Sequence, residues 1–360
     1  MSDTATDDTA DGSGTDDTQH TDRSDSPTGR ADSTDATATD ADSPHVAVTG
    51  AAGYIGSRLV ADLQREHPGW ELTALDNFYL GQVRSIGDLD IEHVDIRHRE
   101  ELEAALTGVD AVVHLAALSG VPDCDENPDR AYEVNVQGTE NVAWFCRKTG
   151  AALAFPFSMA VIGDPDEFPI TVDAERDPLN WYGRTKVLNE TAIEWYADGA
   201  FPAHQFMVAN LYGEHELDGR TVSKGTVINF FADRALAGET LTVYEPGTQS
   251  RNFVHVKDVA RAFRLSTERL LDQRADGETG VEKYEIATDE DPGVEDVAEV
   301  VRRLAREERD VDVDIELVEN PRSAETLVDS FEVDWSAARD RLGWEPRETV
   351  ENSIRGLLRE

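Results

Sequence analysis

A short apolar run, His45–Thr49, leads directly into Thr49-Gly-Ala-Ala-Gly-Tyr-Ile-Gly56, which places glycines at 50, 53 and 56. A run of that length bounded by glycine reads as a buried strand that turns sharply into a helix, expected here from about Tyr54 to Glu66. Glycine permits the turn and a close approach of other backbone. The new helix offers free N–H groups and its positive dipole end, which together suit a phosphate. The spacing is Gly-x-x-Gly-x-x-Gly, not the Gly-x-Gly-x-x-Gly of the standard dinucleotide fingerprint. Taken alone, it also fits an ordinary glycine-rich turn.

The order of elements downstream narrows the choice. Strands are expected at Glu71–Leu75, Ala111–Leu115, Ala152–Ser158 and His204–Ala209, with an excursion through Leu89–Asp95. Helices are expected near Arg99–Leu106, over Ala131–Lys148, and through Tyr182 to Tyr196. Strand–helix alternation with near-continuous apolar strands predicts an α/β fold, a Rossmann-like doubly wound parallel sheet. Beyond Gly213 the rhythm changes to a helix at Thr226–Ala237, strands at Leu241–Tyr244 and Asn252–His255, a helix at Val294–Glu308 and a strand at Val311–Val318. This stretch predicts a smaller C-terminal α/β substrate lobe. The expected division is 44–213 for the nucleotide domain and 214–360 for the lobe, with returns to the main sheet near 250–265. Residues 1–43 carry almost nothing apolar and read as a disordered acidic tail.

Asp76 closes the second strand, where a carboxylate accepts hydrogen bonds from an adenosine ribose and repels a 2′-phosphate. The position favours NAD over NADP; the plainer reading is a solvated acid in an acidic chain. Asp95 and Ile96 are placed to flank an adenine ring or simply to end a strand. Tyr182 and Lys186 lie four apart, on one face of a helix. A phenol ordinarily ionises near pH 10. The neighbouring ammonium and a cationic nicotinamide are expected to draw it toward neutrality, making Tyr182 a base for a carbinol hydroxyl. Lys186 can also bond the nicotinamide ribose. Ser158, at the end of its strand, can share the same substrate oxygen.

Charge sets the surroundings. The chain carries −41; the tail holds twelve Asp and two Arg, so the remainder still carries −31. Lysine occurs only at 148, 186, 224, 257 and 283. Such a surface suits molar salt, where screening suppresses self-repulsion, and implies a halophilic, archaeal source. It argues against nucleic acid as a partner, since no basic stripe is present. No run reaches membrane-spanning length and no secretory leader is legible, so a cytoplasmic protein is expected. Cys124 and Cys146 are too few for a disulfide framework, and no metal site is expected.

With these residues on view, the chain from about 45 to 360 resembles the extended short-chain dehydrogenase/reductases of the nucleotide-sugar epimerase/dehydratase family. The resemblance rests on the 49–56 loop, Asp76-Asn77, His114-Leu-Ala-Ala117, Asn135-Val-Gln-Gly-Thr-Glu-Asn141, Ser158-Met-Ala-Val-Ile-Gly163, Tyr182-Gly-Arg-Thr-Lys186, Arg251-Asn-Phe-Val-His-Val-Lys-Asp-Val259, Arg322-Ser-Ala-Glu325 and Leu342-Gly-Trp-Glu-Pro346. It implies catalytic roles for Ser158, Tyr182 and Lys186. It also implies an NAD site built from Gly50, Gly53, Tyr54, Ile55, Gly56, Asp76, Asn77, Asp95, Ile96, Leu115, Ala116, Ala117, Tyr182 and Lys186. Asn210, Arg251 and Arg322, with Ser158, would contact a nucleoside-diphosphate sugar, and a homodimer is expected. Met159 and Ile162 depart from the family pattern and are expected to reshape the sugar pocket. Dehydratases of the family resemble Thr-Asp-Glu where this chain has Ser158-Met159-Ala160, so C4 epimerisation through a 4-keto sugar is the favoured reaction. Decarboxylation, simple dehydrogenation and a noncatalytic NAD-binding scaffold are the alternatives.

Overall fold

The computed structural model describes residues 43–321 and 326–359. The expected tail (all but Ser43) and Arg322 therefore lie outside the described residues. Seven strands form one parallel sheet: β1 His45–Thr49, β2 Glu71–Asp76, β3 Glu92–His93, β4 Ala111–His114, β5 Ala152–Ser158, β6 Pro202–Val208 and β7 Gly280–Ile286. Their spatial order is β3-β2-β1-β4-β5-β6-β7. The order reverses at β1, with β2 on one side and β4 on the other. Such a switch opens a crevice at the strands' carboxyl ends. β1 and β4 are buried almost throughout, which is why both read as unbroken apolar runs.

Helices cover the sheet. α1 (Tyr54–Glu66) packs against the long helix Val256–Ala275, while α3 (Gly138–Thr149) packs against both α2 (Arg99–Ala105) and α4 (Trp181–Ala197). The helix expected over Ala131–Lys148 is not uniform. Its first part, Tyr132–Gln137, is a π-turn, and α3 begins at Gly138. A Cβ on Gly138 would come within 2.5 Å of Ile96 Cδ1, so the small residue lets the helix lie against the strand-end loop.

The smaller lobe has its own core, including Tyr212, Ile228, Phe231, Val243, Val297 and Leu304. It is built on α5 (Val227–Leu236), α7 (Val294–Arg309) and α8 (Val350–Arg359), the Val256–Ala275 helix being α6. Leu241–Tyr244 pairs in parallel with Ile315–Val318, the only part of the expected Val311–Val318 strand that pairs. Phe253–His255 pairs with Asn210–Tyr212 and not with the main sheet. The strand that rejoins the sheet is β7, beside β6. Among the described residues, no helix is long and apolar enough to cross a membrane.

Candidate active site

The carboxyl ends of β1, β2, β4, β5 and β6 open onto a cleft of about 360 Å³. Its floor explains the glycines. Gly50 has φ +74°, and a Cβ there would meet the Ala116 amide nitrogen at 2.6 Å. A Cβ on Gly56 would stand 2.2 Å from the Gly50 carbonyl oxygen. Any side chain would therefore prise β1 and α1 apart or push the Leu115–Ala117 loop into the cleft. No side chain caps the start of α1, which leaves its first N–H groups for a ligand. Gly50, Gly53, Tyr54, Ile55 and Gly56 all line the cleft, as do Leu115, Ala116 and Ala117. The loop's φ values, clearances and open N–H groups suit a dinucleotide diphosphate.

Asp76 and Asn77 line the same cleft at the end of β2. One Asp76 oxygen accepts the Ala52 N–H at 3.1 Å and the other accepts that of Phe78 at 2.6 Å. Burial raises its pKa, and those two N–H bonds oppose the rise. The carboxylate is thus fixed in aim, with lone pairs left for hydroxyl donors. Ile96 lines the cleft, whereas Asp95 is not among the lining residues. Arg97 grips Asp95 through both carboxylate oxygens, at 3.0 and 2.8 Å, and Asn77 adds a bond at 3.2 Å. Those bonds hold the Asp95 carboxyl well below the usual carboxylate range.

The candidate reactive residues come from two elements pinned together. Asn180 caps α4 by accepting the Gly183 N–H at 2.9 Å, which places Tyr182 in the first turn. A Cβ on Gly183 would stand 2.4 Å from the Ala160 carbonyl, so glycine lets α4 press against the turn that follows Ser158. The Ser158 hydroxyl is near enough to the Tyr182 phenol to favour its ionised form. Lys186, one turn along and buried, donates to the Pro156 carbonyl at 3.0 Å, with its ammonium 4.6 Å from the Phe155 ring centre.

One expectation is not met by the polypeptide alone. Burial pushes the Tyr182 phenol up to about 12, and the nearby Ser158 hydroxyl only partly offsets it. Desolvation also brings the Lys186 ammonium down to about 8. At neutral pH the protein by itself therefore holds a protonated phenol. His114, buried between the Thr49 and Thr139 hydroxyls at 2.7 and 3.0 Å, is pushed down to about 3 and stays neutral. The buried Cys124 thiol is raised to about 11.

Several of the expected residues are not among those lining the cleft. Asn210 is exposed, outside the cleft lining, and donates to the Asn252 carbonyl at 3.1 Å. Arg251 is also outside the lining; its guanidinium reaches the Ser250 and Thr326 carbonyls at 2.7 and 2.6 Å. Thr326 directly follows the undescribed stretch that contains Arg322. Met159 and Ile162 are buried in the core and do not line the cleft, so they act on its shape only through packing. Conversely, Tyr79, Arg130, Ser119 and Lys224 line the cleft without having been foreseen. Only the scarcity of lysine could have drawn attention to Lys224.

Residues 46–280 match the family model described as the NAD dependent epimerase/dehydratase family. The chain is 30% identical to a UDP-N-acetyl-alpha-D-glucosaminuronate decarboxylase of Bacillus cytotoxicus, over 71% of this chain and 79% of that protein. It is 28% identical to a UDP-glucose 4-epimerase of Halalkalibacterium halodurans, over 84% of this chain and 90% of the relative. Its fold is similar to the crystal structure of a Thermus thermophilus UDP-glucose 4-epimerase in complex with NAD. There the TM-score is 0.73 at 25% identity, covering 87% of this chain and 97% of that one.

Proposed function

The chain belongs to the NAD dependent epimerase/dehydratase family, and from this premise we propose that it inverts a nucleoside-diphosphate sugar at C4 through a transient 4-keto sugar. It is an enzyme that modifies a nucleotide sugar with NAD as cofactor. The observation that carries the finer reading is the cleft's acid content. Among its lining residues Asp76, at the ribose end of the glycine loop, is the one carboxylate. Expelling a C6 hydroxyl as water needs an acid beside the sugar, and Ser158, Tyr182 and Lys186 supply none.

NAD, when bound, supplies a hydride acceptor that returns the hydride, and its cationic ring adds positive charge to the site. The rest is done by the chain's own residues. Tyr182 takes the O4 proton and later gives it back. Ser158 holds the same oxygen during both transfers. Lys186, fixed on the Pro156 carbonyl, opposes the cost of phenolate in a buried site. Since burial alone leaves the phenol at about 12, proton abstraction depends on cofactor and substrate both being in place.

A second reading has a specific observation in its favour: the Bacillus cytotoxicus relative is a nucleotide-uronate decarboxylase. A 4-keto uronate is a β-keto acid that loses carbon dioxide without a further acid, so the same reactive set would serve. Incubating the protein in high salt with a panel of nucleotide sugars separates the readings. A C4 isomer without net NADH is expected; carbon dioxide with a pentose product selects decarboxylation, and stoichiometric NADH selects a dehydrogenase. Tyr182→Phe is expected to bind NAD normally while turnover falls by roughly 10³-fold.

A further inference from the structure

We infer that Lys224 is an anion-binding residue contributed to the cleft by the smaller lobe, and that it takes an anionic oxygen group of the nucleotide sugar, either its diphosphate or a carboxylate on the sugar. The inference rests on the proposed substrate class. Its starting point is scarcity. The chain has five lysines against 74 acids, yet two of the five, Lys186 and Lys224, line one cleft. Lys186 is committed to the Pro156 carbonyl. The Lys224 ammonium instead donates to the neutral Ser119 hydroxyl at 3.1 Å, and among the described residues it meets no carboxylate at ion-pair distance. A cation left on a hydroxyl in so acidic a protein is positioned for a charge that arrives with a ligand.

The backbone around Lys224 is built to present it. Asn229, nearly fully buried on α5, donates to the Lys224 carbonyl at 3.1 Å, to the Ser223 hydroxyl at 3.1 Å and to the Gly213 carbonyl at 2.7 Å. It also accepts the Gly213 N–H at 2.9 Å. One buried amide thus ties the residue that ends the hairpin Glu214–Leu217/Arg220–Ser223 to the point where the lobe begins. Protein around the ammonium lowers its pKa by desolvation, against a raising effect of Asp123, although the residue as a whole is exposed. An exposed residue whose ammonium still reaches Ser119 and lines the cleft fits a long side chain extended into an open site.

Placement selects the substrate over the cofactor. The N–H groups suited to the cofactor's diphosphate belong to the glycine loop after β1. Ser119, which Lys224 touches, follows β4, and β4 lies between β1 and the strand ending in Ser158. The ammonium's partner therefore lies one strand nearer Ser158 than the glycine loop does.

Calorimetric titration of the NAD-loaded protein with UDP-glucose and with UDP-glucuronate, for wild type, Lys224→Met and Lys224→Arg, tests this. The methionine variant is expected to bind at least one of the two about tenfold more weakly, with NAD affinity unchanged and a shallower dependence on KCl; arginine is expected to restore most of the loss. Loss confined to UDP-glucuronate identifies the carboxylate, and equal loss for both identifies the diphosphate. Unchanged affinity for both sugars, or an equal loss for NAD, would overturn the inference. Wild-type binding without isomer or carbon dioxide would overturn the catalytic reading alone, and wild-type binding of neither sugar would overturn both.

Discussion

In the proposed reaction Ser158, Tyr182 and Lys186 carry the chemistry, and the protonation of Tyr182 and Lys186 in the protein alone differs from what their spacing implies. A Tyr-x-x-x-Lys pair predicts a phenol lowered by its ammonium. Burial in this fold drives both groups toward their neutral forms, the phenol to about 12 and the ammonium to about 8. Sequence reveals neighbours on a helix face, but it cannot weigh desolvation against attraction, because burial depends on strands far away in the chain. The lysine shift has a consequence for stability. Its folded pKa lies below the ordinary 10.5, so between about pH 8 and 10.5 the unfolded chain binds more protons than the folded one. The cost of burying the cation is full below pH 8 and fades as pH rises toward 10.5. Cofactor-free Lys186→Met is therefore expected to be more stable than wild type at pH 7, by on the order of 3 kcal/mol, with the gap closing by pH 10.5. Denaturant midpoints against pH check this, and a gap that widens with pH would contradict it.

At the scale of elements, local signals were legible and long-range ones were not. β1, the glycine turn and α1 lie where the sequence puts them, because the buried strand, the turn residues and the helix start are consecutive. β7 was missed because Val281-Glu-Lys-Tyr-Glu285 mixes three charged side chains with two apolar ones and looks like surface. Its polar members are consumed by partners distant in sequence: Lys283 bonds Glu190 at 2.7 Å, and Glu285 accepts the Val172 N–H at 2.6 Å. The π-turn was missed for a similar reason. Asn135 occupies what reads as a plain helix, yet it donates to the Leu118 carbonyl at 3.1 Å and the Thr185 hydroxyl at 3.2 Å and accepts the Leu118 N–H at 2.8 Å. It links the cleft loop to the helix turn between Tyr182 and Lys186. Asn135→Ala would leave the buried Leu118 N–H without a partner and its carbonyl with only the weak Cys124 thiol donor. The expected cost is roughly 2–4 kcal/mol in chemical denaturation, with turnover reduced even where the protein is fully folded. Unchanged stability would remove Asn135 from this role.

For the whole molecule, net charge and cofactor chemistry make separate demands. The body carries −31 after the tail is set aside, and its arginines are drawn into surface clusters such as Arg303, Arg355 and Arg359 with Glu307, Glu308 and Glu351. Exposed pairs of this kind contribute little each, so the uncompensated acids dominate. We propose on this basis that the protein is adapted to a halophilic cytosol. Its melting temperature is expected to climb as KCl is raised from about 0.2 to about 3 M, and a maximum in dilute buffer would contradict the adaptation. The resemblance's homodimer is open to sedimentation in the same salt. The doubly wound sheet and its cleft were readable from element order. The lobe's contribution through Lys224 was not, since it depends on a contact spanning 105 residues. The central claim is that Tyr182 and NAD oxidise and re-reduce the same sugar carbon within one closed cycle. Nucleotide sugar carrying deuterium at C4, incubated with the enzyme in high salt, tests it most directly. The account predicts the C4 epimer with deuterium kept at C4 and no accumulated NADH; loss of the label to water, or its recovery in free NADH with no epimer, would contradict it.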